Sequence, residues 1–458
     1  MKVRMLCFLF MIGSWIFAQN DMIANVNLQF QFANPGARSL GMGGAFVGLA
    51  DDQTALFANP AGLTNLRQRT VSVEAQLMRN DVLIPFHGGE ILQTGTHDLV
   101  FNLESREFPE EHISVPFLSF VIPMEKVNMG FFYARQADTR RSFSTDSVVI
   151  PAVPFQIRPV IRFETHYFFP TENRLTMDLE SIGASVGWRF NDAFSIGATL
   201  AISRLTYVAQ TKLNLPAFQE EGLQFLEPLF GENLAIIDAE GDESAASGFF
   251  GMLYRPNDRF QVGMTYQHYP EFDYDYEVNQ RQIDFQTLEM MPYEIEEEGS
   301  AGFQVPDNAS VGVSMQSSEA FLMTAEIKRV FYSELTDQSQ HFFEQNGNDQ
   351  RTEDVTEYHF GMEYFFLNAA IPFSIRGGYW FDPYHAMKNT LADTQILYRT
   401  ETGEQGVRNA VFLQQFERDL DHLSFGFGVS PIGNLQVDFA VDISEETRLL
   451  SLSGTWRY

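Results

Sequence analysis

Apolar and polar residues alternate along fourteen segments of the chain, and the connections between these segments are short and long by turns. A first segment at about 69–79 is followed by pairs that meet across Pro123-Met124-Glu125, at Asn191-Asp192, at Pro256-Asn257, at Ser318-Glu319, at Leu367–Ala370 and at Pro431-Ile432. Six long connections separate the pairs: 80–111, 138–175, 209–244, 271–306, 334–354 and 384–418. The thirteenth segment is the cleanest. Leu435, Val437, Phe439, Val441 and Ile443 alternate there with Asn434, Gln436, Asp438, Ala440 and Asp442. A period of two puts each set on its own face of a strand. Leu423, Phe425, Phe427 and Val429 repeat the pattern in the twelfth segment, and Val127, Met129, Phe131 and Tyr133 in the third.

A soluble sandwich alternates in the same way, so the solvent has to be read from other features. An even strand number, with short turns at one rim and long loops at the other, is the signature of an outer-membrane barrel. Aromatics gather near segment ends, at Trp188 and Phe190, Tyr207, Tyr254, Tyr266, Tyr364 and Phe366, Trp380 and Phe381, as interfacial girdles do. Segments of about 10 to 15 residues are long enough to cross an apolar band at a tilt. No run of apolar residues is long enough for a helical span. The chain ends on Leu450, Leu452, Gly454, Trp456 and Tyr458, similar to the terminal aromatic strand that the barrel-assembly machinery recognises. The reading is all-β: a 14-stranded antiparallel transmembrane barrel over 69–458 in the outer membrane of a Gram-negative cell. Parity puts both termini in the periplasm and the six long loops outside.

The start of the chain has the form of a secretory signal over 1–18. Lys2 and Arg4 precede an apolar stretch from Met5 to Phe17, with a cleavage site after Ala18. The only cysteine, Cys7, falls inside it, so the mature chain carries no thiol and no disulfide framework. Removing Lys2 and Arg4 from 30 basic residues leaves 28 against 60 acidic ones, a net charge of −32. Loops 80–111, 209–244, 271–306 and 334–354 hold 31 Asp and Glu against 4 Lys and Arg, and so carry −27 of it. This rim reads as a solvated, self-repelling surface or as a collector of divalent cations. Nucleic acid is excluded as a partner, because its phosphates would be repelled.

Candidate chemistry is sparse. There is no Gly-x-Ser-x-Gly elbow, no His-Glu-x-x-His pair and no mature cysteine, so no catalytic residues and no cofactor are expected. Asp273, Asp275 and Glu296-Glu297-Glu298 lack the spaced oxygen ligands of a calcium loop, and no metal site is assigned. In loop 209–244, Phe218, Phe225, Leu226 and Leu229 fall near helical spacing, with Glu220, Glu221 and Glu227 between them. That apolar face either folds against the neighbouring loop or forms a ligand groove, with Val82–Phe86 as its other wall. Arg189, Glu326, Lys328, Glu357, Glu363, Arg376, Asp438 and Arg457 lie on the presumed lumen face. They hydrate the lumen or anchor a plug, and Arg189 and Arg376 are the candidates to meet a ligand carboxylate.

The stretch 19–68 does not alternate like barrel strand. Within it, Asn34-Pro35-Gly36-Ala37-Arg38-Ser39-Leu40-Gly41-Met42-Gly43-Gly44-Ala45-Phe46 runs on to Ala50-Asp51-Asp52 and then to Asn59-Pro60-Ala61-Gly62. Residues 34–63 resemble the hatch block of the FadL/TodX family of outer-membrane transporters. The resemblance implies that 19–68 plugs the lumen and that Asp51, Asp52, Asn59, Pro60, Ala61 and Gly62 take part in gating. It also implies passive uptake of hydrophobic small molecules, long-chain fatty acids or aromatic and aliphatic hydrocarbons, taken from the lipopolysaccharide surface. In the family a kink in the third strand opens the wall, and here Gly130 is where a kink is cheapest. Some FadL-like barrels, including PorV of type IX secretion, share the opening seen at Gly36–Ser39 and Gly41–Phe46 and bind protein cargo, which gives the alternative function. A plug is also expected on size, because fourteen strands enclose more space than their own side chains fill.

Overall fold

The computed structural model describes Phe30, Phe32 and residues 34–458, except 95–97, 145–147, 158–159, 169, 218–223, 338–349, 386–387, 390–394, 400–404 and 413–418. The signal sequence and its cleavage site, the first part of the stretch 19–68, and Phe218 lie outside the described residues.

Fourteen antiparallel strands close on themselves. They are β1 (Thr70–Thr94), β2 (Asp98–Ile122), β3 (Val127–Ser144), β4 (Thr171–Arg189), β5 (Phe194–Asn214), β6 (Asn233–Asn257), β7 (Phe260–His268, continued by Glu271–Gln280), β8 (Glu294–Gln304, continued by Asn308–Ser318), β9 (Phe321–Val330), β10 (Val355–Phe366), β11 (Phe373–Asp382), β12 (Leu420–Ile432), β13 (Leu435–Ile443) and β14 (Thr447–Arg457). The seam runs between the first and last, from Thr70↔Arg457 to Asn80↔Thr447. Closure at this seam pairs the edges of the first and last strands, whose unpaired N–H and C=O groups would be most costly at membrane depth.

The polarity of the wall is inverted relative to a water-soluble barrel. Along β14, Leu450, Leu452 and Trp456 face outward at 37%, 52% and 41% exposure, while Ser451, Ser453 and Thr455 face inward and are buried. Phe425 and Phe427, Phe360 and Met362, and Ile182 and Leu200 extend this outward apolar belt. At the loop side, the phenols of Tyr133, Tyr266 and Tyr379 donate to Glu180, Asp307 and Asp421. Trp188, Phe190, Tyr254, Trp456 and Tyr458 ring the turn side, exposed. Tyr207, expected in a girdle, instead faces the lumen and is buried 5.2 Å from the ring of Tyr274.

The strands are longer than the alternation of the belt suggests. β1, β2 and β6 each run 25 residues, so much of 80–111 and 209–244 is ladder rather than loop. Connection 271–306 is mostly sheet as well, with Glu271–Gln280 paired to Glu294–Gln304. In this outer extension the alternation reverses: Phe272 and Tyr274 point inward and are buried, and Glu271, Asp273 and Asp275 point to solvent. The breaks at Tyr269-Pro270 and Val305–Asp307 are where the facing changes, because proline gives no ladder N–H and permits a shift of register. A separate two-stranded ribbon, Val148–Ile157 with Val160–Phe168, occupies connection 138–175. Protease or antibody added to intact cells is expected to reach 209–244 and 271–306 and to miss Asn191-Asp192 and Pro431-Ile432. Labelling of the turns but not the loops would reverse the orientation.

Candidate functional site

Residues 34–66 run through the lumen as short turns: a single helical turn at Ala37–Leu40, another at Ala55–Ala58, and a 3-10 turn at Pro60–Asn65. Most of their side chains are fully buried, among them Met42, Phe46, Leu56, Asn59, Ala61 and Leu63. The wall receives this segment on inward-facing glycines. A Cβ on Gly378 would overlap Gly43, one on Gly263 would overlap Val47, and one on Gly251 would overlap Asn59 and Pro60. Gly187, Gly197, Gly312, Gly361 and Gly426 meet Pro60, Gly48, Met42 and Gly41 in the same way. Backbone thus lies on backbone around most of the circumference, which is why both partners are glycine-rich.

Polar groups of the wall then satisfy the amides and carbonyls of the plug. Glu326 accepts from the N–H groups of Phe46 and Val47, each at 2.9 Å. Glu74 accepts from Gly36 N–H at 2.7 Å. Gln267, Ser314 and Ser185 donate to the carbonyls of Phe57, Gly48 and Leu56 at 3.0, 3.1 and 2.7 Å. Because none of these carbonyls and amides could reach water, each unmade bond would carry a desolvation penalty.

A chain of charges fixes the segment to the opposite wall. Arg38 lies 2.6 Å from Asp51 and 2.8 Å from Glu363. Glu363, fully buried, also accepts from Arg376 Nε at 2.7 Å, and Arg376 reaches Asp438 at 2.8 Å. Burial works against the charge on Arg38, but Asp51, Glu363 and Asp52 more than offset it and hold the guanidinium well above its ordinary pKa. Lys328 joins in beside Phe32, donating to its carbonyl at 2.7 Å while 3.3 Å from Glu357.

Over the plug sits an aromatic lumen. Phe32 packs 5.6 Å from Tyr269 and 6.5 Å from Tyr332, and Phe57 packs 5.3 Å from Phe249 and 6.0 Å from Phe132. The wall beside it is incomplete. β2 pairs with β3 only from Ile122↔Met129 to Phe117↔Ala134, whereas β3 stays paired to β4 as far as Ser144↔Glu172. Register shifts mark both sides of the break, opposite Val115-Pro116 in β2 and at Gln136 in β3. A cavity opens there, lined by Phe57, Pro116, Ala134, Gln136, Ala137 and Leu449 among others. Phe57, Ala134 and Ala137 belong to the aromatic core as well, so the wall cavity and the lumen are contiguous.

A family model described as outer membrane protein transport protein (OMPP1/FadL/TodX) matches residues 171–396. The chain belongs to the FadL/TodX family. The fold is that of solved structures with which it shares little sequence. A Pseudomonas aeruginosa FadL homologue superposes with a TM-score of 0.60 at 13% identity, over 93% of this chain and 99% of that one. The CymD monoaromatic hydrocarbon channel gives 0.57 at 14% identity, over 94% and 99%. The Pseudomonas putida toluene transporter TodX gives 0.56 at 13% identity, over 93% and 99%. Among curated proteins none matches the sequence. As a member of this family, the protein is an outer-membrane barrel of a transport-channel family for hydrophobic compounds.

Within this FadL/TodX barrel, the residues singled out in the sequence fall in different places. Asn59 is fully buried at the turn side, donating to Val47 and Met252 carbonyls at 2.9 and 3.1 Å and accepting from Ala61 N–H. Pro60 opens the 3-10 turn, where its missing N–H is not needed, and Gly62 packs against Ala50. Asp52 accepts from the N–H and hydroxyl of Thr54, and Asp51 faces Arg38, a plug residue rather than a wall arginine. Arg376 is committed to two carboxylates and Arg189 to the carbonyl of Thr64, so both anchor the plug.

Gly130 corrects the expected position of the kink. It stays in regular register with Val121 and Ser185, and its missing side chain leaves room for Leu56 of the plug. The irregularity comes six residues later, at Gln136, where no glycine announces it. In loop 209–244, Leu226 and Leu229 are buried with Leu213, Leu215 and Ala235 against Phe285 and Met290 of the neighbouring loop. Phe225 is exposed and 6.4 Å from Phe285. Folding of one loop onto the next therefore accounts for Leu226 and Leu229. Gln136 and Pro116 were missed in the sequence; Pro116, inside a strand, was the available signal.

Proposed function

We propose that this protein lets hydrophobic small molecules of the aromatic-hydrocarbon or fatty-acid type pass the outer membrane, entering by the loop rim and leaving sideways between β2 and β3. The observation that carries the reading is the break in β2–β3 pairing beside a lumen lined by aromatic rings, because a wall without ladder hydrogen bonds is where a hydrophobe would leave toward lipid. A hydrophobe that crosses a lipopolysaccharide leaflet through such a route never has to enter the aqueous periplasm. The printed names of CymD and TodX, a monoaromatic hydrocarbon channel and a toluene transporter, agree with an aromatic ligand. The plug at 34–66, with Asp51, Asp52 and Asn59–Gly62, closes the direct path and acts as the gate. Residues 19–68 and 69–458 are its hatch and barrel units.

Filling the break tests this. Ala137→Trp puts a bulky ring where the cavity is lined by a methyl group. Toluene uptake by cells carrying the variant is expected to fall at least about fivefold, with unchanged amounts of heat-modifiable barrel in the membrane. Undiminished uptake would remove the lateral route. The cargo-binding alternative draws on the acidic outer sheet, where Asp238 and Glu298 both stand opposite Glu277. Native mass spectrometry of gently purified protein separates the two: a retained hydrophobe supports transport, and a retained protein supports cargo binding.

A further inference from the structure

The wall cavity has a mixed lining, with Phe57, Pro116, Ala134 and Ala137 beside Glu74, Arg135, Gln136 and Asp138, and among its polar groups Gln136 is held in a way that packing does not explain. Gln136 is 3% exposed, lines the cavity, and its side-chain oxygen has no hydrogen-bond partner among the described residues. Its amide nitrogen donates to Ser181 at 2.8 Å. Ser181 is 2.6 Å from Ser203, and Ser203 is hydrogen-bonded to Ser247, so the carboxamide is held by a row of buried hydroxyls across β4, β5 and β6. The phenol of Tyr269 lies beside the same carboxamide and carries the row into the aromatic lumen. A buried carbonyl oxygen without a donor is costly to maintain. A residue rigidly positioned at that cost, in a cavity that also presents Phe57, Ala134 and Ala137, is suited to receive a donor from outside the protein.

Charge narrows the donor. Asp138 and Glu74 line the cavity, and Glu180 and Asp178 stand at its mouth. Arg135, which lines the cavity, already pairs with Glu180 at 2.5 Å and Asp138 at 3.0 Å, and Arg140 and His112 lie 3.6 and 3.2 Å from Asp138. Arg38 and Arg376 in the lumen are likewise committed to carboxylates. Among the described residues that line the cavity, an anionic head group would find no unpaired cation and several carboxylates. A neutral hydroxyl would be admitted.

We infer that the cavity between β2 and β3 is a selectivity site for uncharged hydrophobes carrying a hydroxyl donor, phenols above all, with Gln136 accepting the hydrogen bond. This deepens the transport reading and rests on it. Phenols then pass in preference both to the parent hydrocarbon and to the corresponding carboxylate, so that of the two classes proposed above fatty acids are the disfavoured one, and Gln136 sets specificity while the aromatic lumen supplies general affinity.

Three ligands of one shape test the point: toluene, p-cresol and p-toluate, titrated calorimetrically at pH 7.5 into full-length protein in detergent, against micelle blanks. The expected order is p-cresol tightest, toluene weaker by about tenfold, the size of one well-made hydrogen bond, and p-toluate weakest. In Gln136→Leu the cresol preference, read as the ratio of cresol to toluene affinity, should fall to within about twofold of unity. Equal binding of p-cresol and toluene by the natural protein, tightest binding of p-toluate, or a preference that survives Gln136→Leu would each overturn the assignment while leaving transport standing. Failure of all three ligands to bind would remove the transport reading and this inference together. The ligand series on the unaltered protein decides the matter even if the variant does not fold.

Discussion

A protein lacking residues 24–66 is expected to fold, insert and conduct ions through planar bilayers at levels at least about tenfold above those of the full-length chain. The barrel does not need the plug to close: β1 zips to β14 from Thr70↔Arg457 onward, and Tyr458 N–H reaches the Arg69 carbonyl at 3.0 Å. What the deletion removes is the material that fills the space between strands too far apart to fill it themselves. The wall groups left behind, Glu74, Glu326 and Glu363 among them, would meet water, which pays for their charges. A smaller change should act in the same direction. Gly263→Leu drives a side chain into the Val47 carbonyl, so the plug cannot seat and leakage rises. Conductance as low as the parent's in both variants would mean that 34–66 does not close the pore. Replacing Asn59 or Pro60 by alanine, a milder change, should alter hydrophobe uptake without altering the amount of protein in the membrane.

Glu363→Leu is expected to be the most destabilising single substitution in the lumen, by about 3–5 kcal/mol, the cost of leaving a buried charge without its partner. Glu363 bridges Arg38 and Arg376; without it each buried guanidinium loses one of its carboxylates, keeping Asp51 and Asp438 respectively, and nothing separates the two positive charges. Urea unfolding followed by loss of the heat-modifiable band would measure the cost. The double variant Glu363→Leu with Arg376→Leu should recover a large part of it, because removing both members of a pair is far cheaper than removing one. A single-variant loss below about 1 kcal/mol would show that water reaches the network.

Much of this architecture is written in the chain. Strand number, the turn rim and the seam follow from alternation, because in a lipid-facing wall every second residue must be apolar, and β13 and β14 obey that rule along their length. The plug is legible from its glycines and from the Asn59-Pro60 turn. The length of the strands is not, for a physical reason. Beyond the belt the solvent changes from lipid to water, so Phe272 and Tyr274 turn inward and the acidic residues turn out. Alternation persists but its meaning inverts, and a reader looking for outward apolar residues sees a loop. The wall break escaped for another reason. Glycine is the residue at which bending costs least, but Gly130 is used for close approach to Leu56, and the bend arises from mismatched pairing at Gln136 and Pro116. Which partner a strand lacks is a property of its neighbours, invisible in its own residues.

The seam has a consequence for how the molecule comes into being. The strand that leads out of the plug, β1, is sealed only by the final residues of the chain. Until those arrive there is a slit down one side of the cylinder, and the segment that must end up inside is attached to one lip of it. The segment 34–66, which touches wall glycines on most strands, has no comparable way in once the slit is shut. Biogenesis is therefore ordered: the interior is furnished first and the door is hung last, so a lesion in β14 should trap a sheet still curled around its stopper, not an empty tube.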